Sequence, residues 1–569
     1  MRRFTFSMML ALATVAANAK DVLDAPTWTD NLTTTTEAKD LTRAAAMAVD
    51  NEGNSIVTGS FTKDLEFADS YLEPVANSAF IAKYDKAGAK KWAAGLAGAA
   101  TVTTVATDAD GNVYAAGVFA DQVAIKDASG ETKATITGMA DKVDKVSGFI
   151  VKYDKQGAYV ASKTILAESD AEIAALDMIG VLSPSFTAKK LVVDGNKLYL
   201  SASYKGNVAL DGVTLKGKYA CSEGWLYNDE TTMCVLSFDA ADLANASIVS
   251  VLGATKQLTN EATYNTEDVN FAINDGKIYV AYVASGKDMT LTAAGKDTKI
   301  ETAYEASATE HATEHAYVLA AIDGDQVTTQ VYHSVATDNS NTLNTIDEMA
   351  YQKGKLYLAG SFNQALPFDN TISYLGGCDA YAACLDAESL NKNWAVASAF
   401  DEGDAKHKAE IISGMLVDED EVTLVGWVEN TFDRTIEAPL GYQINTKTPA
   451  MQKGEQVLIT SVAENGNYAL YQTDNVKGSD EDKTTEGTYS YIFYNNAESS
   501  GISKVLADDN TIDWDGNEVT LAKSADITVY TAAGAAVKSA KNVKSLSLAD
   551  AAHGIYLVKV GKQALKIVK

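Results

Sequence analysis

Apolar residues along the chain fall in short runs, punctuated by Asp, Gly and Asn. Ala48-Val49-Asp50 leads through Glu52-Gly53-Asn54 to Ile56-Val57-Thr58-Gly59-Ser60-Phe61. A near-copy runs from Ala106-Thr107-Asp108 through Asp110-Gly111-Asn112 to Val113-Tyr114-Ala115-Ala116-Gly117-Val118-Phe119. Each is followed by a second signature, Phe80-Ile81-Ala82-Lys83-Tyr84-Asp85 and Phe149-Ile150-Val151-Lys152-Tyr153-Asp154. Such runs predict strands, and the residues between them predict hairpin turns. Gly supplies a positive φ there, and an Asp side chain bonds back to the turn backbone. The runs are apolar at successive positions, as expected where neighbouring sheets cover a strand on both faces.

The pattern repeats in weaker form. The first signature recurs at Asp194-Gly195-Asn196-Lys197-Leu198-Tyr199, at Asp275-Gly276-Lys277-Ile278-Tyr279, at Lys353-Gly354-Lys355-Leu356-Tyr357 and, without its glycine turn, at Asp420-Glu421-Val422-Thr423. The second recurs at Phe238-Asp239, Ile322-Asp323, Leu385-Asp386 and Ile444-Asn445, so that successive units are spaced by 59 to 85 residues. That spacing fits one four-stranded sheet with variable loops, and such sheets repeated about an axis form a β-propeller. Gln456-Val457-Leu458-Ile459, Tyr468-Ala469-Leu470-Tyr471 and Tyr489-Ser490-Tyr491-Ile492 supply three strands of a last unit that lacks a Trp strand. Pro26-Thr27-Trp28-Thr29-Asp30 resembles the segments at Trp92 and Trp394 and is expected to complete it, leaving no open edge. The expected fold is all-β, with about seven blades (six as the fallback).

These residues resemble the β-propeller repeat family of secreted bacterial proteins, with its Asp-x-x-Gly-Asn-x-Tyr and Phe-x-x-Lys-Tyr-Asp marks. The likeness is good over about residues 45–160 and fades to pattern by residue 450. It implies a propeller in a surface or extracellular setting, and no reaction.

The two ends read as addresses. Met1-Arg2-Arg3, the apolar stretch Phe4 to Ala17 and the small residues Ala17 and Ala19 form a signal peptide, with cleavage expected after Ala19. The apolar run is shorter than the ~20 residues that span a bilayer, and no later stretch reaches ~18, so no transmembrane segment is expected. Lys20, not Cys, would start the mature chain, which gives lipoprotein anchoring no support. Residues 496–512 read as a linker, after a propeller over 20–495. Residues 513–569 read as a small Ig-like β-sandwich, with strands at Glu518–Leu521, Ile527–Tyr530, Leu546–Leu548, Gly554–Val560 and Lys566–Lys569. Val529-Tyr530 before Gly534, then Gly554-Ile555-Tyr556, then the terminal Lys566 to Lys569 resemble the C-terminal sorting domain of type IX secretion cargo. That resemblance implies the type IX secretion machinery as a partner, passage through the periplasm, and a cargo released or held at the outer cell surface.

Composition narrows the partners. The 569 residues carry 47 Lys+Arg against 76 Asp+Glu, a formal net charge of −29. Residues 511–569 hold eight Lys against five Asp and Glu, which leaves −32 on the rest. A chain so acidic is not expected to bind nucleic acid or anionic lipid, since both demand a concentrated basic face.

Candidate chemistry is sparse. Export permits disulfides. Cys221 and Cys234 flank a local loop and could pair. Cys378 and Cys384 lie in an extended segment, roughly 20 Å apart at ~3.3 Å per residue, beyond the ~7 Å reach of a bridge. The string His311-Ala312-Thr313-Glu314-His315 has the spacing of a zinc peptidase motif but lies in a polar tandem loop without an evident third ligand. The carboxylates at Asp50, Glu52, Asp108 and Asp110 resemble part of a calcium loop, and turn chemistry accounts for them. No catalytic, cofactor or metal residue is assigned, and no cofactor is expected. The expected function is a non-enzymatic binding module for a glycan or protein, with loops 121–147, 205–232 and 284–315 forming a recognition rim. An extracellular hydrolase or lyase with its site in the channel is the alternative, and a structural component of an extracellular layer a third. Carboxylates or His at the channel mouth would mark the enzyme, and exposed aromatics the binder.

Overall fold

The computed structural model describes residues 28–31, 42–453 and 461–568 apart from connecting segments, the longest being 301–314, 334–343 and 497–511; of 28–31 and 461–496 it describes the backbone. The described chain is nearly all strand, with one short helix at Ala171–Leu176. Among the described residues no helix is long and apolar enough to cross a membrane.

Blade 1 is the antiparallel meander Thr42–Val49, Ser55–Phe61, Ser78–Tyr84 and Lys90–Ala97. The same order of pairing recurs in blades 2 to 6, whose innermost strands are Ala100–Thr107, Ser185–Asp194, Tyr264–Asn274, Glu348–Gln352 and Lys408–Asp418. Blade 7 takes Ser461–Val462, Asn467–Lys477 and Glu486–Asn496 from the far end and Trp28–Asn31 from the near end. Trp28 pairs opposite Tyr494 and Asn31 opposite Tyr491, so the early Trp segment is the outermost strand of the last sheet. Each innermost strand touches that of the next blade, and Ser461–Val462 touches Thr42–Val49, which closes the ring as a β-propeller.

The doubly apolar runs follow from this geometry. Successive side chains of a strand point to opposite faces. Val113 and Ala115 pack with Ile81 and Ala94 between blades 1 and 2, while Tyr114 and Ala116 pack with Leu198 and Leu200 between blades 2 and 3. The apolar cores therefore lie between blades, and each strand feeds two of them.

The signature residues act at the turns. Asp50 Oδ1 accepts the Glu52 and Asn54 amides at 3.0 and 2.8 Å, with Gly53 at φ 80°. Asp50 Oδ2 meets Lys83 Nζ at 2.8 Å, with both side chains buried. Trp92 Nε1 donates to the Lys155 carbonyl in the turn between the third and fourth strands of blade 2. Lys152 Nζ donates to the Ala240 carbonyl in the matching turn of blade 3 at 2.8 Å, and Tyr332 Oη to the Leu390 carbonyl in that of blade 5. The repeated Lys and the nearby ring thus join one blade to the next. The Asp50 carboxylate is filled by the chain's own donors, and Asp108 Oδ1 likewise accepts the Asp110 and Asn112 amides, as turn chemistry predicts.

A bulge recurs in the inner strands. One extra residue sits between Ala44 and Ala46, Val102 and Thr104, Ala188 and Lys190, Thr266 and Asp268, and Ile412 and Gly414. In blade 5 it lies between the pairs Asn344↔Phe362 and Glu348↔Ala359. The bulge presses the inner strand onto its partner. A Cβ on Gly117, Gly360 or Gly426 would overlap the carbonyl of Thr101, Thr345 or Ile411. This is why the second strand of those units carries Gly at that place.

The long loops differ from expectation. Residues 122–137 form a hairpin whose first strand pairs Ala124 and Ile125 with Ala97 and Leu96, extending blade 1. Met289–Ala293 and Lys296–Ile300 extend blade 3 in the same way, through the register Ser250↔Ala293 to Ala254↔Met289. Asn207–Leu210 pairs with Ala167–Glu168, which follows the last strand of blade 2. In each case the insertion between the second and third strands reaches back to the preceding blade. Much of the proposed rim is thus edge cover, because a bare strand edge leaves amides and carbonyls unpaired.

The four cysteines are buried free thiols, and Cys221 and Cys234 do not pair, lying in different sheets. The C-terminal module is one antiparallel sheet around its own core of Val519, Ile527, Val529, Leu548, Val558 and Ile567. Two expected strands merge into the long, bulged Glu518–Thr531. Its partner Ala536–Ser547 is longer than the sequence suggested.

Candidate functional site

An antiparallel meander gives a blade two chemically distinct ends. The Asp turns crowd one face of the ring. The innermost strands start at the other, and the bulges lie there. The first residue past the bulge is Ala46 in blade 1, Thr104 in blade 2, Lys190 in blade 3, Asp268 in blade 4, Glu348 in blade 5 and Gly414 in blade 6. One structural position is therefore charged in three consecutive blades and small or neutral in the others.

Side chains from these strands bond across blades. Lys189 Nζ meets Asp268 Oδ1 at 2.5 Å, the lysine partly exposed. Asp268 also accepts the Val269 and Ile346 amides at 2.9 Å each. Lys190 Nζ donates to Asn270 Oδ1 at 2.8 Å and to the Met349 carbonyl at 3.2 Å, reaching from blade 3 past blade 4 to blade 5. Asn270 Nδ2 faces the carbonyls of Ile346 and Asp347 at 2.9 and 2.8 Å. On the blade 2 side Thr103 Oγ1 donates to the Ala188 carbonyl. On the blade 6 side Glu410 accepts from Tyr442 Oη, Ser398 Oγ and the Ala380 amide.

The electrostatics are strained towards neutrality. Desolvation pushes Glu348 up to about 7, opposed by the charge of Lys190. Desolvation pushes Lys190 down, opposed by Glu348. Desolvation, reinforced by the charge of Asp268, pushes Asp347 up to about 8. Shifts of this kind mark sites where charge is held for a purpose or tied into an ion-pair network, and both readings fit a wall built from several blades.

This arrangement can hold a ligand by hydrogen bonds and charge. Among the described residues no group of three or more His, Cys, Asp or Glu is placed to hold a metal ion. Among the described residues the exposed large apolar side chains are Val160 on the outermost strand of blade 2, Leu176 on the short helix and Val537 in the C-terminal module, none of them aromatic and none on an innermost strand.

The sequence-assigned positions lie elsewhere. Ala17, Ala19, Gly534, Gly554 and Lys569 fall outside the described residues, as do His311 to Glu314 and most of the segment 496–512. His315 opens the strand His315–Asp323. Ile555, Tyr556 and Lys566 sit on the last hairpin, with Tyr556 opposite Ile567 and Leu557 opposite Lys566. Sequence reading missed the mouth column. Its signal was available: once the repeats are aligned, one position varies from Ala to Thr, Lys, Asp, Glu and Gly while the residue after it stays apolar.

No protein-family model matches the chain, and no curated protein matches it. Among solved structures it is similar to a phage phi92 endosialidase, at 10% identity and TM-score 0.31, over 86% of this chain and 71% of that one. It is similar to the polysaccharide lyase Uly1, at 11% identity and TM-score 0.36, over 79% and 90%. It is also similar to the β-propeller domain of the Trilobed protease from Pyrococcus furiosus, at 9% identity and TM-score 0.25, over 72% and 94%. At these scores none of them bears on what the chain binds or does.

Proposed function

We propose that this protein is an exported β-propeller, delivered to or through the outer membrane by type IX secretion, that binds a glycan at the mouth of its bore. The observation that carries the binding reading is the column Lys190, Asp268 and Glu348, one position charged in three adjacent blades and followed in each by an apolar residue, Leu191, Val269 or Met349. Two carboxylates of the mouth are occupied by the chain's own donors: Asp268 by Lys189 and two amides, Glu410 by Tyr442, Ser398 and an amide. Committed carboxylates position a ligand better than they transfer its protons, since general acid–base work needs a group free to approach the reacting atom. The net charge of −29 disfavours anionic ligands. A sugar-hydrolysing or lyase site is the second reading, favoured by the raised Glu348 and Asp347 carboxyls.

The test is glycan and protein array binding with the chain from Lys20, beside Lys190→Ala and Glu348→Gln. Glycan binding that both substitutions weaken at least tenfold supports the reading. Binding confined to proteins, or binding that ignores both substitutions, ends it. Release of shortened oligosaccharides, seen by mass spectrometry, would favour the second reading. Export is tested separately: removing residues 513–569 should trap the chain in the periplasm, and unaltered surface delivery would refute the sorting assignment.

A further inference from the structure

Where blades 4, 5 and 6 meet at the mouth, carboxyls gather in excess of cations. Asp347 lies at the start of the blade 5 inner strand. Facing it are Asp268 from blade 4, Thr345 and Glu348 from its own segment, Cys378 and Tyr381 from the third strand of blade 5 and its approach, and the Ile412 amide from blade 6; Asp379 and Glu410 lie against Cys378, and Tyr317 against Tyr381. Two lysines that reach this junction from blade 3 are bonded already: Lys189 to Asp268, Lys190 to Asn270 and Met349. Thr345 and the Ile412 amide bond to the Asp347 carboxyl, but Oδ2 is buried with no hydrogen-bond partner. The same short segment is the tie between blades 4 and 5. Ile346 donates its amide to Asp268, Asn270 donates to the Ile346 and Asp347 carbonyls, and Tyr381 Oη donates to the Thr345 carbonyl at 2.8 Å.

We propose that this junction is a pH-responsive joint: loss of the Asp347 proton sets an anion with an unsolvated oxygen against Asp268 and loosens the tie between the inner strands of blades 4 and 5. An ionised carboxylate with a buried bare oxygen has lost its water and gained no donor. A second carboxylate alongside adds repulsion. Movement of residues 345–347 restores solvent to the anion and breaks the bonds that hold the two strands together. The direction follows from linkage. The folded carboxyl holds its proton up to about 8, whereas the unfolded chain releases it near 4. Native protein therefore binds more protons across that interval, and stability falls as pH rises through it and levels off above. The inference concerns regulation of the mouth and rests on the proposed binding role only for its use. The joint itself is tested without ligand.

The experiment is hydrogen exchange on the full mature chain, corrected for intrinsic rates, between pH 5 and pH 9, in the wild type and in Asp347→Asn. Protection of Glu348–Gln352 and Tyr264–Asn274 should fall about tenfold or more in the wild type, the equivalent of at least one pKa unit of coupling. It should fall distinctly less in Asp347→Asn, where only Glu348 still titrates in this segment, and Val113–Phe119 should be unchanged in both. Coincident profiles for the two proteins would overturn the joint. Should Asp347→Asn not fold, infrared spectra of the wild type decide. A protonated carboxyl band that persists at pH 6 and disappears by pH 9 supports the proposal, and its absence at pH 6 refutes it.

Discussion

Gly117 has ordinary strand geometry and a partner strand bulged against it, so its constraint is space rather than φ. A methyl group there meets the Thr101 carbonyl, a backbone atom that cannot swing aside. Gly117→Ala should lower stability by about 3 kcal/mol or more, the upper end of overpacking costs, because the clash is with backbone. Gly130→Ala, at φ 78° with nothing within 4 Å of its Cβ position, should cost about 1–2 kcal/mol from backbone strain alone. Urea unfolding of the two variants checks the order, and equal losses would show that the bulge exerts no pressure. Residue chemistry of this kind was half legible in the sequence. The roles of Asp50 and Gly53 could be read from local spacing, because both partners lie within one turn. The partners of Lys152 and Trp92 could not, since the Ala240 and Lys155 carbonyls come from other blades.

At the scale of elements, the insertions between second and third strands hold the outer edges of the ring. The hairpin over 122–137 buries Val123, Ile125 and Ile136 on blade 1. Replacing residues 121–138 with a tight turn leaves Lys90–Ala97 as a bare edge. The variant should melt at a lower temperature than the wild type and scatter light at concentrations where the wild type stays clear. If its melting point and solubility match the wild type, the hairpin is ornament. Loop length announced that these segments were unusual, and hydrophobic alternation within 122–137 hinted at strands. Which edge they would join depended on contacts between blades, and periodicity along one segment carries no information about that.

On the scale of the whole molecule, closure depends on a four-residue strand from the opposite end of the chain. A chain lacking residues 20–41 should fold with blade 7 open. Proteolysis should then cut first within 467–496, and a synthetic peptide spanning 20–41 should restore protection. Cleavage at the wild-type rate would show that the clasp contributes nothing. Closure could be inferred from Trp28 because Trp92 and Trp394 supply the template, each sitting on an outermost strand. The mouth column could not, because its members are alike in position and unlike in chemistry, the reverse of what a repeat search rewards.

The backward reach of the insertions also limits how such a ring could be remodelled. A blade with a hairpin carries the cover for its predecessor, so excising one unit removes a neighbour's shield as well as its own strands. Duplicating one sets two hairpins in competition for a single flank, or leaves one without a berth. Blades 1 to 5 are stitched in this serial way, since Phe368 in the blade 5 connection packs on Tyr317 and Tyr332 of blade 4, whereas blade 6 has only a brief connection, residues 431–435, between its second and third strands. Gain or loss of a repeat should therefore be tolerated best at blade 6 and resisted on the arc from blade 1 to blade 5.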